Sequence, residues 1–137
     1  MRKSKFRTAR CVIFSGGRVL MVVHSNRERV NRGFWGLPGG RIKAYEHFAD
    51  AARREIREEL HVALGELHEV GEYRYKGRLH KIVGTVYEKP IVRFDRNEIL
   101  QIRWHTPEEV DALSADGRLH CGFEDAAVRA FLELLRR

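Results

Sequence analysis

The stretch GRIKAYEHFADAARREIREELHV, residues 40–62, decides how this chain is read. From about Glu46 to His61, the residues Phe48, Ala49, Ala52, Ile56 and Leu60 recur at spacings of three and four, forming one apolar stripe along a helix. Glu55, Glu58 and Glu59, also three and four apart, share a side of that helix. Like charges at this spacing repel by roughly 0.2–0.5 kcal/mol per pair on an exposed helix. Three carboxylates converging beside a glycine-rich loop make physical sense if a divalent cation neutralises them. Hard oxygen donors with room left for water and phosphate oxygens suit Mg²⁺, with Mn²⁺ as a substitute. On the helix alone another account stays open. Arg53, Arg54 and Arg57 are interleaved with the acids, Arg54 and Glu58 form an i,i+4 pair, and a salt-bridged solvated face carries the same pattern.

Working outward, Phe34 to Ile42 (FWGLPGGRI) holds three glycines and a proline, so this segment must bend or expose its backbone. Before it, Ser25 to Gly33 is polar, Arg-rich and without period, which predicts a loop. Earlier still, Thr8–Ser15 and Arg18–His24 are strand-like runs around Gly16-Gly17, a β-hairpin pattern. After the helix, Val70–Tyr75 and Leu79–Glu88 read as two strands joined near Lys76-Gly77, and Ile99–His105 as another. Thr106-Pro107-Glu108-Glu109 predicts a helix start with Thr as N-cap and Pro at the first position. A last helix runs from about Gly122 to Leu135, ahead of Arg136-Arg137 at its negative dipole end. The order is that of a mixed α/β fold of the α+β, layered kind, expected as one domain over residues 1–137.

Length and composition agree. A chain of 137 residues with 43% hydrophobic and 33% charged residues can build one buried core and is not disordered. No apolar run reaches the ~18–20 residues of a membrane span, so no membrane partner is expected. Cys11 and Cys121 lie far apart and form no Cys-x-x-Cys pair or zinc-ligand spacing, which argues against a zinc finger or disulfide framework and points to a reducing, cytoplasmic setting. The first ten residues are Arg-rich and acid-free like an organelle transit segment, but they lack the apolar core of a secretory signal and lead directly into a strand pattern. The formal charge of +7 suits phosphate-bearing partners or a solvated basic surface.

The spacing within the quoted stretch is specific. Gly40 is followed after five residues by Glu46, after seven more by Arg54-Glu55-Ile56-Arg57-Glu58-Glu59, and then by Leu60-His61-Val62. This resembles the Nudix box, with eight of nine defined positions met and His61 standing where the family has Gly. The lead-in Trp35-Gly36-Leu37-Pro38-Gly39-Gly40 is also of the family's kind. A non-Gly residue at the helix end costs roughly 1–2 kcal/mol if a left-handed conformation is kept there; otherwise the helix exits differently. Tyr45 and His47 replace small residues frequent in the family, which leaves the N-terminal cap open.

The resemblance implies an α/β/α sandwich with a mixed central sheet and, as activity, metal-dependent hydrolysis of a nucleoside diphosphate linked to another group. Mg²⁺ or Mn²⁺ is the implied cofactor, and a monomer or homodimer the implied state. Glu58 and Glu59 match metal-ligand positions, Glu55 a ligand or general-base position, and the Gly39 carbonyl a backbone ligand whose missing side chain allows close approach to the ion. Arg54 is expected to orient a glutamate, Glu46 to be structural, and Ile56 and Leu60 to be core. Glu98 is the candidate for an additional base or ligand from a distant loop, with Asp95 and Glu88 as rivals. Phe34, Trp35, Tyr73 and Tyr75 are candidates to stack on a base, with core packing the alternative role for at least two. Arg27, Arg29 and Arg32 are candidates to meet distal phosphates. Nucleoside triphosphates, oxidised ones included, are the default substrate. The absence of a proline about 15–17 residues after Val62, where Arg78 and Leu79 stand, lowers an ADP-ribose reading, and the tyrosine placement of dinucleoside-polyphosphate enzymes is missing. A 5′-triphosphorylated RNA end, a non-catalytic nucleotide- or RNA-binding module and a prenyl-diphosphate isomerase are the rival readings.

Overall fold

A computed structural model describes residues 3–25 and 34–137. Its elements are β1 (Phe6–Ser15), β2 (Arg18–His24), β3 (Gly39–Arg41), α1 (Phe48–Leu60), β4 (His68–Tyr75), β5 (Arg78–Val86), β6 (Ile99–His105), α2 (Pro107–Ala115) and α3 (Glu124–Leu135). The five longer strands lie in the order β4-β5-β1-β2-β6, and β3 pairs with β1 beside β2. The β1–β5 pair is parallel and the others are antiparallel, which makes the sheet mixed.

Period-two alternation sorts each central strand between two helical layers. Cys11 and Ile13 of β1, Leu20 and Val22 of β2 and Val83 of β5 pack with Ala51, Ala52, Ile56 and Leu60 of α1. Val12, Val19, Met21, Val23 and Ile82 face the opposite layer, with Val110 and Leu113 of α2 and Ala127, Val128 and Phe131 of α3. Burial on both faces explains why these strands read as nearly continuous apolar runs. Gly84 admits the α3 layer, because a Cβ there would stand 2.4 Å from the Phe131 ring. Both hairpins turn through two residues of positive φ, Gly16-Gly17 and Lys76-Gly77, as the right-handed strand twist favours.

The elements expected from the pattern are present, with ends moved by a few residues. The segment 34–42 differs from expectation. Its backbone is laced into the structure: Val22 and Gly36 exchange two 2.8 Å hydrogen bonds, Cys11 N–H donates to Pro38 O at 2.9 Å, and Gly39–Arg41 is a true strand. Its glycines therefore serve close pairing rather than an exposed bend. The open questions at the ends of α1 are also answered. His47 is the N-cap, its Nδ1 accepting from Ala49 N–H at 3.1 Å. His61 keeps the left-handed conformation (φ 58°, ψ 39°) and closes the helix through its N–H to Arg57 O at 3.0 Å.

Histidine tolerates that region but does not favour it. His61→Gly is expected to raise the stability of the protein by roughly 0.5–1 kcal/mol, the relieved strain minus glycine's added freedom in the unfolded chain. Urea unfolding at unchanged m-value measures it.

Candidate active site

The site is built around two missing side chains. Gly39 (φ 136°) lies so close to β1 that a Cβ would stand 2.3 Å from Ala9 O and 2.6 Å from Arg10 Cα. The space that a side chain would fill at Gly39 is thus taken by the β1 backbone. At Gly40 a Cβ would stand 2.6 Å from the Glu55 carboxyl carbon. The strand β3 therefore wedges between β1 and α1 and meets the glutamate face of the helix.

Arg54 ties this face together. Its Nε donates to Glu46 Oε2 at 2.9 Å, Nη2 donates to Glu46 Oε1 at 2.9 Å and to Arg41 O at 3.0 Å, and Nη1 donates to Glu55 Oε1 at 2.8 Å and lies 3.6 Å from Glu58 Oε2. The planar guanidinium suits this bidentate grip. Its hydrogen bonds hold the Glu46 carboxyl down at about 2 and raise the Arg54 guanidinium further still. Glu46 also accepts from Lys43 N–H at 3.0 Å, so it braces the turn before α1.

Glu59 points the other way. It is 2% exposed, and one carboxylate oxygen accepts the Gly39 N–H at 3.1 Å. Burial pushes its carboxyl up to about 8, against the Gly39 N–H and the Arg10 charge that lower it, while the charges of Glu55 and Glu98 raise it further. Glu98 is thereby placed within electrostatic reach of Glu59. It stands at the end of a turn anchored to α1 by Asp95 N–H to Glu59 O at 2.8 Å. Its rival Asp95 spends a carboxylate oxygen on Asn97 N–H, and Glu88 is exposed beyond β5.

A hard divalent ion fits this donor chemistry: a buried carboxylate, two more carboxylates on the same helix and a fourth, Glu98, within electrostatic reach of the buried one. Among the described residues, no three His, Cys, Asp or Glu side chains already converge as a finished cage. Glu55 and Glu58 lie against Arg54 instead, so their carboxylates would have to share that arginine with an ion.

This assembly of loop and helix has relatives. The NUDIX domain model matches residues 4–121. The chain belongs to the Nudix family. It is 28% identical over 81 residues to a Bacillus subtilis (strain 168) protein named as a candidate 8-oxo-dGTP diphosphatase, YtkD, a match covering 59% of this chain and 48% of that protein. The chain thus spans about half the length of that curated relative. The fold is also that of the NUDIX domain of Shewanella oneidensis NrtR, solved with ADP ribose (TM-score 0.75, 18% identity, 97% of this chain and 90% of that one). A MutT protein from Methanosarcina mazei Go1 shares it too (TM-score 0.70, 22% identity, 97% of each chain).

The other Nudix-box expectations divide. Ile56 and Leu60 are fully buried in the core. Trp35 is 5% exposed and lies in the core, its ring packed with that of His105, centroids 4.9 Å apart. Tyr73 stacks on Phe123 at 5.2 Å, and the Tyr75 ring lies 6.0 Å from that of His80. Phe34 is half-buried. Arg27, Arg29 and Arg32 lie outside the described residues. Sequence reasoning missed Arg10, which it grouped with the N-terminal cations. Arg10 donates to Leu37 O at 3.2 Å and Gly39 O at 3.4 Å, and so stands beneath the glycine segment. The available signal was a lone charge inside the apolar run TARCVIFS, where burial demands a partner.

The Glu46–Arg54 grip carries a pH signature. A carboxyl lowered by folding adds stability above its unfolded value near 4.5, and that stability is lost as pH falls toward 2. Wild type is expected to exceed Glu46→Gln by roughly 1–2 kcal/mol at pH 7, with the gap closing between pH 4.5 and 2. Denaturant melts of both proteins across that range measure it.

Proposed function

We propose that this protein is a divalent-metal-dependent hydrolase that cleaves the phosphoric anhydride of a nucleoside diphosphate linked to a further group, with canonical and oxidised nucleoside triphosphates as its leading substrates. The observation that carries this reading is that the Gly39-Gly40 wedge meets the helix carboxylates directly, Gly40 against the Glu55 carboxyl and the Gly39 N–H on Glu59, while Arg54 bonds Glu55 and lies 3.6 Å from Glu58. The name of the Bacillus subtilis relative supports the choice of oxidised triphosphates.

Glu58 and Glu59, with Glu55 and the Gly39 carbonyl, would hold Mg²⁺ or Mn²⁺. Bound there, the ion supplies neutralisation of phosphoryl oxygens and a more acidic water. The protein's own groups do the rest. Arg54 keeps Glu55 and Glu58 at a defined place on the helix. Glu98, exposed on its anchored turn, is the carboxylate available to take a proton from the attacking water, and Glu55 is the second. Arg10 and the Gly39 N–H offset charge at buried Glu59. The two free cysteines accord with a cytoplasmic protein.

The test is phosphate and pyrophosphate release with Mg²⁺ or Mn²⁺ over canonical and oxidised nucleoside triphosphates, ADP-ribose, dinucleoside polyphosphates and triphosphorylated RNA. One class is expected to turn over, with loss in EDTA and a fall of about 10²-fold or more in kcat for Glu58→Gln. Gly40→Ala, which leaves every glutamate in place but drives a methyl into the Glu55 carboxyl, is expected to lower kcat by tenfold or more. Silence across the panel from folded protein that still binds nucleotide would assign it to the non-catalytic binding modules.

A further inference from the structure

A strongly basic groove lies along the start of β1, the end of β3 and the β4–β5 turn. Its cavity of about 450 Å³ is lined by seven cationic side chains and no carboxylate. Four are guanidiniums: Arg7 at the start of β1, Arg41 at the end of β3, and Arg74 and Arg78 flanking the β4–β5 turn. These strands are adjacent in the order β3-β1-β5-β4, so the four arginines extend over three strand spacings, about 14 Å. Of the three lysines, Lys5 reaches Glu72 at 3.7 Å. Among the described residues no carboxylate lies within ion-pair distance of the other six cations.

Two features show that the backbone holds this cluster together. In the β1–β5 pairing, Phe6 faces Leu79 and Thr8 faces His80, so Arg7 is the extra residue of a β-bulge, a device that re-aims a side chain. The charges of Arg41 and Arg78 lower the Arg7 pKa, as like charges gathered in one place do. Such a cluster opposes folding until an anion neutralises it.

A second cavity shares Ser4, Lys5 and Phe6 with the first and continues it past Tyr45, Glu46, His47 and Phe48, the Glu46 carboxylate there being held by Arg54. Tyr45 is 55% exposed and sits at φ 67°, a left-handed conformation that a bulky aromatic adopts at a cost. An aromatic ring held in solvent beside a basic track is a stacking platform for a base.

We propose that this groove binds a single-stranded nucleic acid, with Arg7, Arg41, Arg74 and Arg78 on consecutive phosphates and Tyr45 under a base. The span exceeds what one nucleotide's triphosphate needs, and the track is concave with an aromatic at its end, which suits a flexible strand better than a flat anionic membrane. The inference goes beyond hydrolysis of small nucleotides, and it is tested in EDTA, without turnover, so it stands or falls separately from the catalytic reading.

The experiment is fluorescence anisotropy with labelled oligo(U) and oligo(dT) of about 12 nucleotides at increasing NaCl. Wild type is expected to bind, with log K falling linearly with log salt. Arg7→Ser/Arg74→Ser/Arg78→Ser is expected to weaken binding at least tenfold and to flatten the salt slope by about two, from roughly 0.7 per lost contact. A control with the same loss of charge elsewhere, Lys89→Ser/Arg93→Ser/Arg137→Ser, keeps near wild-type affinity. Tyr45→Gly is expected to weaken binding about tenfold with the slope unchanged; a merely conformational role for Tyr45 would change thermal stability and leave affinity alone. Preference between the two oligomers tells whether the 2′-hydroxyl is read. The proposal is overturned if wild type does not bind, if both triple variants lose affinity equally, if Tyr45→Gly binds as wild type, or if phosphatidylserine vesicles displace the oligomer with the same variant sensitivity.

Discussion

The architecture of the site depends on one steric constraint, the passage of Gly39-Gly40 between β1 and α1. Neither residue could carry a Cβ: one would meet the Ala9 carbonyl oxygen, the other the Glu55 carboxyl. Because the backbone passes at this distance, the Gly39 N–H reaches buried Glu59, and the Arg41 carbonyl reaches Arg54. A single close approach thus sets the places of Glu55 and Glu59.

Charge is arranged around that wedge in a way that neither composition nor helix spacing conveys. Arg54 offsets the outer carboxylates, by a direct hydrogen bond to Glu55 and an ion pair with Glu58, whereas Glu59 sits almost fully buried with one backbone donor and the Arg10 charge. The difference between two glutamates one residue apart on the chain is one of burial: Glu58 is largely exposed and Glu59 is 2% exposed. Desolvation raises the Glu59 carboxyl. In the basic groove the imbalance is reversed, with cations gathered by strand pairing and no carboxylate lining it.

The fold was legible where local chemistry and packing agree. The two-residue turns, the apolar stripe of α1 and the Thr106-Pro107 helix start each carry their own cause, and each is present with ends displaced by a few residues. Gly39–Arg41 was not legible as a strand, because three residues have no periodicity and their pairing partner β1 lies thirty positions earlier in the chain. Trp35 was open between stacking and packing for a similar reason. An aromatic beside a glycine run suits either role, and burial in the core layer that holds α2 and α3 makes it core.

By itself the sequence determined the layered class, the helix with three glutamates on one side, and the glycine-to-glutamate spacing that marks the Nudix family, since these depend on residues close together in the chain. Tertiary structure decided what the glycines are for, which glutamate is buried, that Arg10 stands beneath the glycine segment, and that Arg7, Arg41, Arg74 and Arg78 share one groove. The physical reason is common to all four. Steric exclusion, desolvation and like-charge clustering depend on which groups meet across space, and here they meet through strand pairs distant in sequence.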